Sequence, residues 1–256
     1  MDYKLLADTA MLAGEIMLVS GGETYRVEDT MRHILKTSNL ETTEVVVISM
    51  AITLTLDDKS IDTISLTKRA GEKNTNLGYV YEVNAVSRAY CSGKISLEEA
   101  YETLKKIPET SNYSSKAVYP SIMLTVGFFT LVLGGTWVDS LLAVVCGSML
   151  FFCKLPFRNR PKNSFVYNLI SVASGAFMAV LLERIFHLQL NTETVVTGIA
   201  MPLLPGTAIT TAIRDTLQGD YLSGLGRIAE AFVVAISIGV GIGLGLYMGT
   251  VVAGLL

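Results

Sequence analysis

Charge is scarce in the second half of this sequence. Residues 117–256 carry 7 Lys+Arg and 6 Asp+Glu, fewer than one charge in ten positions, with a net of +1. Residues 1–116 carry 13 Lys+Arg and 17 Asp+Glu, a net of −4, at the density of an ordinary globular domain. Cysteine and histidine are few as well. Cys91, Cys146 and Cys153 make no disulfide framework and no Cys-x-x-Cys pair, so neither a stapled scaffold nor a zinc site is expected. Cys146 and Cys153 stand in apolar sequence, as buried inert thiols do. His33 and His187 lie far from any Ser or Cys motif, which leaves a hydrolase triad unsupported. No cluster of Lys and Arg with interleaved aromatics occurs, which argues against nucleic acid as a partner. A phosphate-cradling Gly-x-x-x-x-Gly-Lys loop is missing too. No cofactor and no metal is expected. Asp2, Asp8 and Glu15 interrupt the first apolar stretch, so a secretory signal peptide is not expected.

What the second half does have is long uncharged runs. A helix needs about 20 mostly apolar residues to cross about 30 Å of hydrocarbon. Residues 117–138, 163–182, 194–213 and 231–256 are uncharged at that length. A fifth, shorter run carries Asp139 near its start, beside Trp137, where an aromatic anchor favours the headgroup level. The expected spans are therefore about 117–135, 137–154, 163–183, 194–213 and 230–253. The first two could instead form a re-entrant hairpin. Lys154, Arg158, Arg160 and Lys162 crowd one loop, which the positive-inside rule assigns to the cytoplasm. Five spans then put residues 1–116 in the cytoplasm, together with the loop 214–230. The loop 183–193, with only Arg184 and His187 as cations, falls outside.

The first half reads as an α+β domain. Residues 3–19 form an amphipathic helix with Leu5, Leu12, Ile16 and Val19 on one side, ended by Gly21-Gly22. Val27, Met31, Ile34 and Leu35 mark a second helix. Residues 43–56 are rich in Val, Ile and Thr and give one or two strands; Asp57 to Ser60 turn, and 61–68 give another. Residues 77–91 return to helix. Ser96 and Glu99 form a capping box for a helix ending near Ile107 and Pro108. Residues 108–116 are a linker. The fold class expected is an α-helical membrane protein with about five transmembrane helices, preceded by a soluble α+β cytoplasmic domain.

Four features carry chemistry. In Ser20-Gly21-Gly22-Glu23-Thr24-Tyr25-Arg26-Val27-Glu28, a Gly pair at a helix start can present N–H groups to an anion, and Arg26 and Glu28 can bind or pair. A plain helix–helix turn explains the same residues. In Pro202-Leu203-Leu204-Pro205-Gly206, two prolines break the fourth span at mid-membrane. Broken helices are tolerated there where the freed backbone lines a cavity or finds protein partners. Thr207, Thr210 and Thr211 add hydroxyls just past the break. Arg214, Asp215, Asp220, Arg227 and Glu230 are the densest charges of this half, suited to pairing, gating, proton relay or simple interfacial anchoring. Gly241, Gly245, Gly249 and Ala253 repeat every four residues, a stripe that lets another helix, of this chain or another, approach closely.

Ser20–Glu28, the strand-rich stretch after it, Val83-Asn84-Ala85-Val86-Ser87-Arg88, and Pro202–Gly206 with Ala212–Asp215 and Gly219–Arg227 resemble the bacterial threonine/serine exporter family over nearly the whole chain. The Pro-Gly, Arg-Asp, Ser-Gly and Arg run from Pro205 to Arg227 is the most specific part. The resemblance implies a secondary exporter of the cytoplasmic (inner) membrane, multi-pass, with a cytoplasmic N-terminal domain. Full-length members carry about ten spans. A chain of half that number is similar to subunits that act with a second small membrane subunit, one such pair being associated with C4-dicarboxylates such as succinate. The implied partners are the lipid bilayer, that second subunit, a small-molecule substrate and a homo-oligomeric copy. The implied substrate is threonine/serine or a dicarboxylate. The resemblance also singles out Glu23, Thr24, Arg26, Glu28 and Arg88 in the soluble domain. The proton gradient is the expected energy source, and no catalysis is expected. The other reading is a membrane-anchored cytoplasmic sensor or enzyme.

Overall fold

The computed structural model of the chain describes residues 1–71, 75–109, 115–153, 164–187 and 189–255. The Lys/Arg-rich loop and most of the expected linker lie outside the described residues. Two compact units emerge. The first comprises Met1–Asn112 with Thr207–Ala229, and the second Tyr113–Gly206 with Glu230–Leu256.

In the first unit, β1 (Thr42–Ile48), β2 (Ala51–Asp58) and β3 (Ile61–Arg69) form an antiparallel sheet in the order β1-β2-β3. The 43–56 stretch is thus two strands, because Ser49 and Met50 turn between them. Val45 faces Leu54 and Val47 faces Ile52, so the period-2 alternation buries one face. On that face lie α1 (Tyr3–Val19) and α2 (Thr24–Lys36), with α3 (Leu77–Cys91) and α4 (Leu97–Lys106) around α1. Ser96 and Glu99 make the expected capping box, and Ile107–Glu109 adds a 3-10 turn.

α1 departs from its expected face. Ile16 is buried, but Leu5, Leu12 and Val19 are only half-buried, while Leu6, Ala7, Ala10, Ala13 and Met17 are fully enclosed. The cause is that α1 is covered by α2, α3, α4 and the sheet together, so a single apolar stripe underestimates what is buried. The unit is completed by α9 (Gly206–Leu217) and by α10 (Tyr221–Ala253) as far as Ala229. The sequence reading starts this last helix at 230. Asp220 caps it earlier, its carboxylate accepting from the Ser223 N–H at 3.2 Å, and nothing downstream stops it.

The second unit contains α5 (Ser115–Val132), α6 (Trp137–Phe152), α7 (Ser164–Ile185), α8 (Thr192–Ala200) and the rest of α10. Its helices meet through small residues, packed around a core that includes Val126, Leu150, Val195 and Ile199. Gly127 faces Ser140 and Val144, Gly147 faces Val126, and Gly175 faces Ile199. Many large apolar side chains point outward, among them Leu124, Phe128, Leu141, Phe232 and Tyr247. Small residues at the helix contacts and large ones outside are the arrangement of helices whose solvent is hydrocarbon. The 22-residue α7 and the 33-residue α10 are long and apolar enough to cross a membrane. The pair Thr192–Leu203 and Gly206–Leu217 makes a third if counted as one broken span, and α5 and α6 are shorter apolar helices.

Two expectations about this unit meet specific contacts. Asp139, expected as an interfacial charge, is 1 % exposed. It closes a capping box with Thr136 and accepts from the Asn191 N–H at 3.0 Å, so it fixes the starts of α6 and α8. Trp137 beside it is exposed. The glycine stripe packs within the chain. A Cβ on Gly241 would lie 2.7 Å from the Leu169 carbonyl oxygen, and one on Gly249 2.8 Å from the Val180 Cβ. Gly245 sits against the Ala173 carbonyl, so the partner helix is α7. Gly245→Leu should therefore lower stability by about 1–3 kcal/mol or more. Gly243→Ala, which meets open space, should leave stability unchanged or raise it by up to about 1 kcal/mol. Thermal unfolding of the two purified variants in detergent checks the contrast.

Candidate functional site

Two sequence motifs of the first unit, the Gly21-Gly22 turn and the Arg214 to Arg227 run, converge on one buried point, the N-terminus of α2. The chain leaves α1 through Gly21, whose φ of +90° is a conformation that glycine takes without strain. Gly22 then donates its N–H to the Met17 carbonyl at 2.8 Å. A Cβ on Gly22 would lie 2.8 Å from that oxygen, so both glycines are needed for the turn. α2 begins at Thr24, after Glu23, and no side chain of its own caps it. Its first N–H groups therefore need an acceptor from elsewhere.

Asp215 of α9 supplies it. The Thr24 N–H donates to Asp215 Oδ1 at 3.4 Å. Asp215 Oδ2 lies 2.9 Å from Arg227 Nε of α10, an ion pair whose side chains are 0 % and 4 % exposed. The two atoms are in contact without the linear N–H···O geometry of a hydrogen bond. Arg227 Nη2 donates to the Gly22 carbonyl at 2.9 Å. A carboxylate at a helix N-terminus is favoured by the helix dipole, and the guanidinium neutralises it. The Thr24 hydroxyl is buried beside them without a hydrogen-bond partner among the described residues.

Around this pair the packing is close. Gly224 abuts Thr216 and the Ala212 carbonyl, which holds α9 and α10 together as a hairpin. Ser223 Oγ, fully buried, accepts from the Ser49 N–H at 3.0 Å. Ser49 sits in the β1–β2 turn, so the hairpin touches both the sheet and α2. Glu23 forms ion pairs with Arg214 and, at 2.8 Å, with Arg26. Arg26 also donates to the Tyr25 hydroxyl at 3.0 Å. These outer pairs are half-exposed and contribute little; the inner pair is enclosed.

The remaining sequence-marked residues fall in other places. Glu28 accepts from the Val47 N–H at 3.0 Å and pairs with Arg32, which ties α2 to β1. Arg88 is exposed on the last turn of α3. Contacts of Thr30 with Asn84 and of Thr37 with Tyr90 run α3 alongside α2, so Arg88 lies toward the other end of α2 from Thr24. Asp220 is the cap of α10. Glu230 is exposed on α10 in the second unit. The break is where the prolines put it. α8 stops at Ala200, Met201–Leu203 is a 3-10 turn, Leu204 is extended, and α9 starts at Gly206. Pro202 and Pro205 are half-buried, Thr207 and Thr210 are exposed, and Thr211 is half-buried. The Thr210 hydroxyl donates to the Thr207 carbonyl at 3.0 Å. Among the described residues no group of three or more His, Cys, Asp or Glu could hold a metal ion.

Sequence reasoning marks Asp215 and Arg227 but does not join them to Gly22 and Thr24, and it misses Ser49. The buried Ser223 inside an otherwise apolar helix start was the available signal. One family model, ThrE, described as "Putative threonine/serine exporter", matches residues 8–249. The chain belongs to this exporter family. No curated protein and no solved structure matches it. The family is a transporter family, and its match includes the α2 turn, the proline break and the Arg-Asp to Arg run alike. In this family member the α2 turn and the Arg-Asp to Arg run thus meet at one ion pair. Asp215→Ala and Arg227→Ala should each destabilise the protein by about 3–5 kcal/mol, since each strands a buried charge. Removing both should cost less than the sum, and Arg26→Ala should cost about 1 kcal/mol or less. A double-mutant cycle on equilibrium unfolding measures all of these.

Proposed function

We propose that the chain is one subunit of a secondary-active exporter that moves threonine/serine, or a C4-dicarboxylate such as succinate, out of the cell. It works with a second small membrane subunit in the bacterial inner membrane. Five spans are formed by α5, α6, α7, the α8/α9 pair and α10, with the N-terminus in the cytoplasm. At 1.5 Å per residue α6 spans only about 24 Å, so α5 and α6 are the short members of the set.

The observation that carries this reading is the break at residues 201–205 between two apolar helices in a chain of an exporter family. Such breaks free backbone carbonyls and N–H groups for a passing solute. Pro202, Pro205, Gly206, Thr207, Thr210 and Thr211 then line the path. An odd number of spans supports a two-chain design, because a second, similar half would insert inverted. Arg214, Asp215, Asp220, Arg227 and Glu230 govern gating and coupling, and the proton gradient supplies the energy. The Asp215/Arg227 pair is the gate: it holds the α9/α10 hairpin on the soluble layer and releases it during the cycle.

The test is efflux from cells preloaded with labelled serine, threonine or succinate, with and without the second subunit. One substrate should leave only when both chains are present. A protonophore should stop it. Pro205→Ala should slow it at least about tenfold with the protein still in the membrane. Efflux unchanged by Pro205→Ala, with strong effects confined to Glu23 or Arg26, would contradict the reading and favour a membrane-anchored sensor or enzyme.

A further inference from the structure

The two edges of the three-stranded sheet are finished differently. In an antiparallel sheet, every second residue of an edge strand points its N–H and C=O away from its neighbour. On β1 these residues include Val45 and Val47, and α2 closes them off. Glu28 accepts from the Val47 N–H at 3.0 Å, and Arg32 donates to the Val45 carbonyl at 3.2 Å. On β3 the phase follows from the Ala70 N–H, which donates to the Met50 carbonyl at 2.8 Å, one step beyond the Ala51–Arg69 pair. The bonded pairs are then Ile52–Lys68, Leu54–Leu66 and Leu56–Ile64. Ser65, Thr67 and Arg69 therefore present their backbone groups outward. Among the described residues nothing meets them.

An open edge is a template for another strand, and proteins blunt it with proline, a bulge or charge. β3 contains no proline and no glycine. Its register shift, opposite Leu56 to Asp58, bends only its start. Its charges stand at its two ends, Asp62 near the start and Lys68 with Arg69 at the finish, so Thr63 to Thr67 are uncharged. Lys68 pairs with Glu15 at 2.6 Å, while Asp62 and Arg69 join no ion pair among the described residues. A strand that is acidic at its start and basic at its finish complements a copy of itself running the other way. A parallel copy would set like charges together. Ile64 and Leu66, half-buried at the rim of the core, would gain cover from such a neighbour.

We infer that β3 pairs antiparallel with β3 of a second copy of this chain, which joins the two sheets into one. The overlap that leaves the bulge out, and sets outward residues against outward residues, places Ser65 of one copy opposite Thr67 of the other. Arg69 of each copy then falls opposite Thr63 and beside Asp62 of the other. The inference stands on the sheet alone and is read by mass and cross-linking, so it stands or falls separately from the transport reading.

The experiment is sedimentation equilibrium of the full chain in detergent micelles, where a reversible dimer is expected. Asp62→Arg and Arg69→Asp should each weaken it at least about tenfold, and the two together in one chain should restore it, because opposite charges then face each other again. Thr67→Pro removes an outward N–H, no bond to β2 and one exposed hydroxyl contact with Thr53. It should weaken the dimer about tenfold or more with the fold retained in thermal unfolding, since an edge strand tolerates proline at such a position. Glu44→Arg, exposed on β1, should change nothing. Cross-linking in membranes tests the register. With Cys91, Cys146 and Cys153 replaced, a copy carrying Ser65→Cys should form a disulfide with a copy carrying Thr67→Cys, since opposed Cα atoms lie about 5.5 Å apart. A chain that stays monomeric overturns the inference. So does a dimer indifferent to Thr67→Pro and to both charge variants, or a disulfide that forms between Val46→Cys copies and not between the 65 and 67 positions.

Discussion

Asp215 and Arg227 form an ion pair with almost no exposure, and the arrangement of the first unit depends on it. Burying two charges costs several kcal/mol each before their attraction is counted. The cost is offset only because the carboxylate also caps α2 and the guanidinium also reaches the Gly22 carbonyl. That requirement explains the glycines at the turn, the absence of a cap within α2 itself and the small residues Gly224 and Gly226 on α10. It also explains why an Arg-Asp-containing helix that reads as the end of a membrane span groups with the α+β unit.

Much of this was legible in the sequence. The strands followed from runs rich in Val, Ile and Thr, with one strand or two left open at 43–56, the capping box at Ser96 from spacing, and the break at Pro202 and Pro205 from the chemistry of proline. Other points were not, for identifiable reasons. α1 is enclosed on several sides, which one-sided periodicity does not anticipate. α10 starts nine residues early because a short cap at Asp220 outweighs a nearby arginine that looks like a boundary. The hydrogen bond from Thr24 to Asp215 joins residues 191 positions apart, and a linear motif says nothing about which distant motif it meets. Asp139 looked like a headgroup charge beside Trp137, but a carboxylate three residues after a threonine can equally close a capping box, and here it does.

The two units divide the labour that an exporter needs. The second suits a hydrocarbon solvent, with glycines at its helix contacts and many leucine, phenylalanine and tyrosine side chains exposed. The first carries the charges, and its hairpin of α9 and α10 belongs to helices that also supply the broken span and the longest apolar helix. A buried pair of opposite charges suits a switch because it is stable when closed and strongly unfavourable when only one partner remains. On this account the α+β unit is more than an attachment: its α2 turn is the seat against which the hairpin closes.

The most direct test of that claim is a reversible lock on the hairpin. A Cβ on Gly226 would lie 3.9 Å from the Ser49 Cβ, within the range that a disulfide spans. In a chain with Cys91, Cys146 and Cys153 replaced, Ser49→Cys with Gly226→Cys should form that bond on oxidation. With the second subunit present, the account predicts that oxidation stops efflux and that reduction restores it. Efflux that continues at the same rate through the oxidised protein would show that the hairpin never leaves its seat, and would contradict the gate.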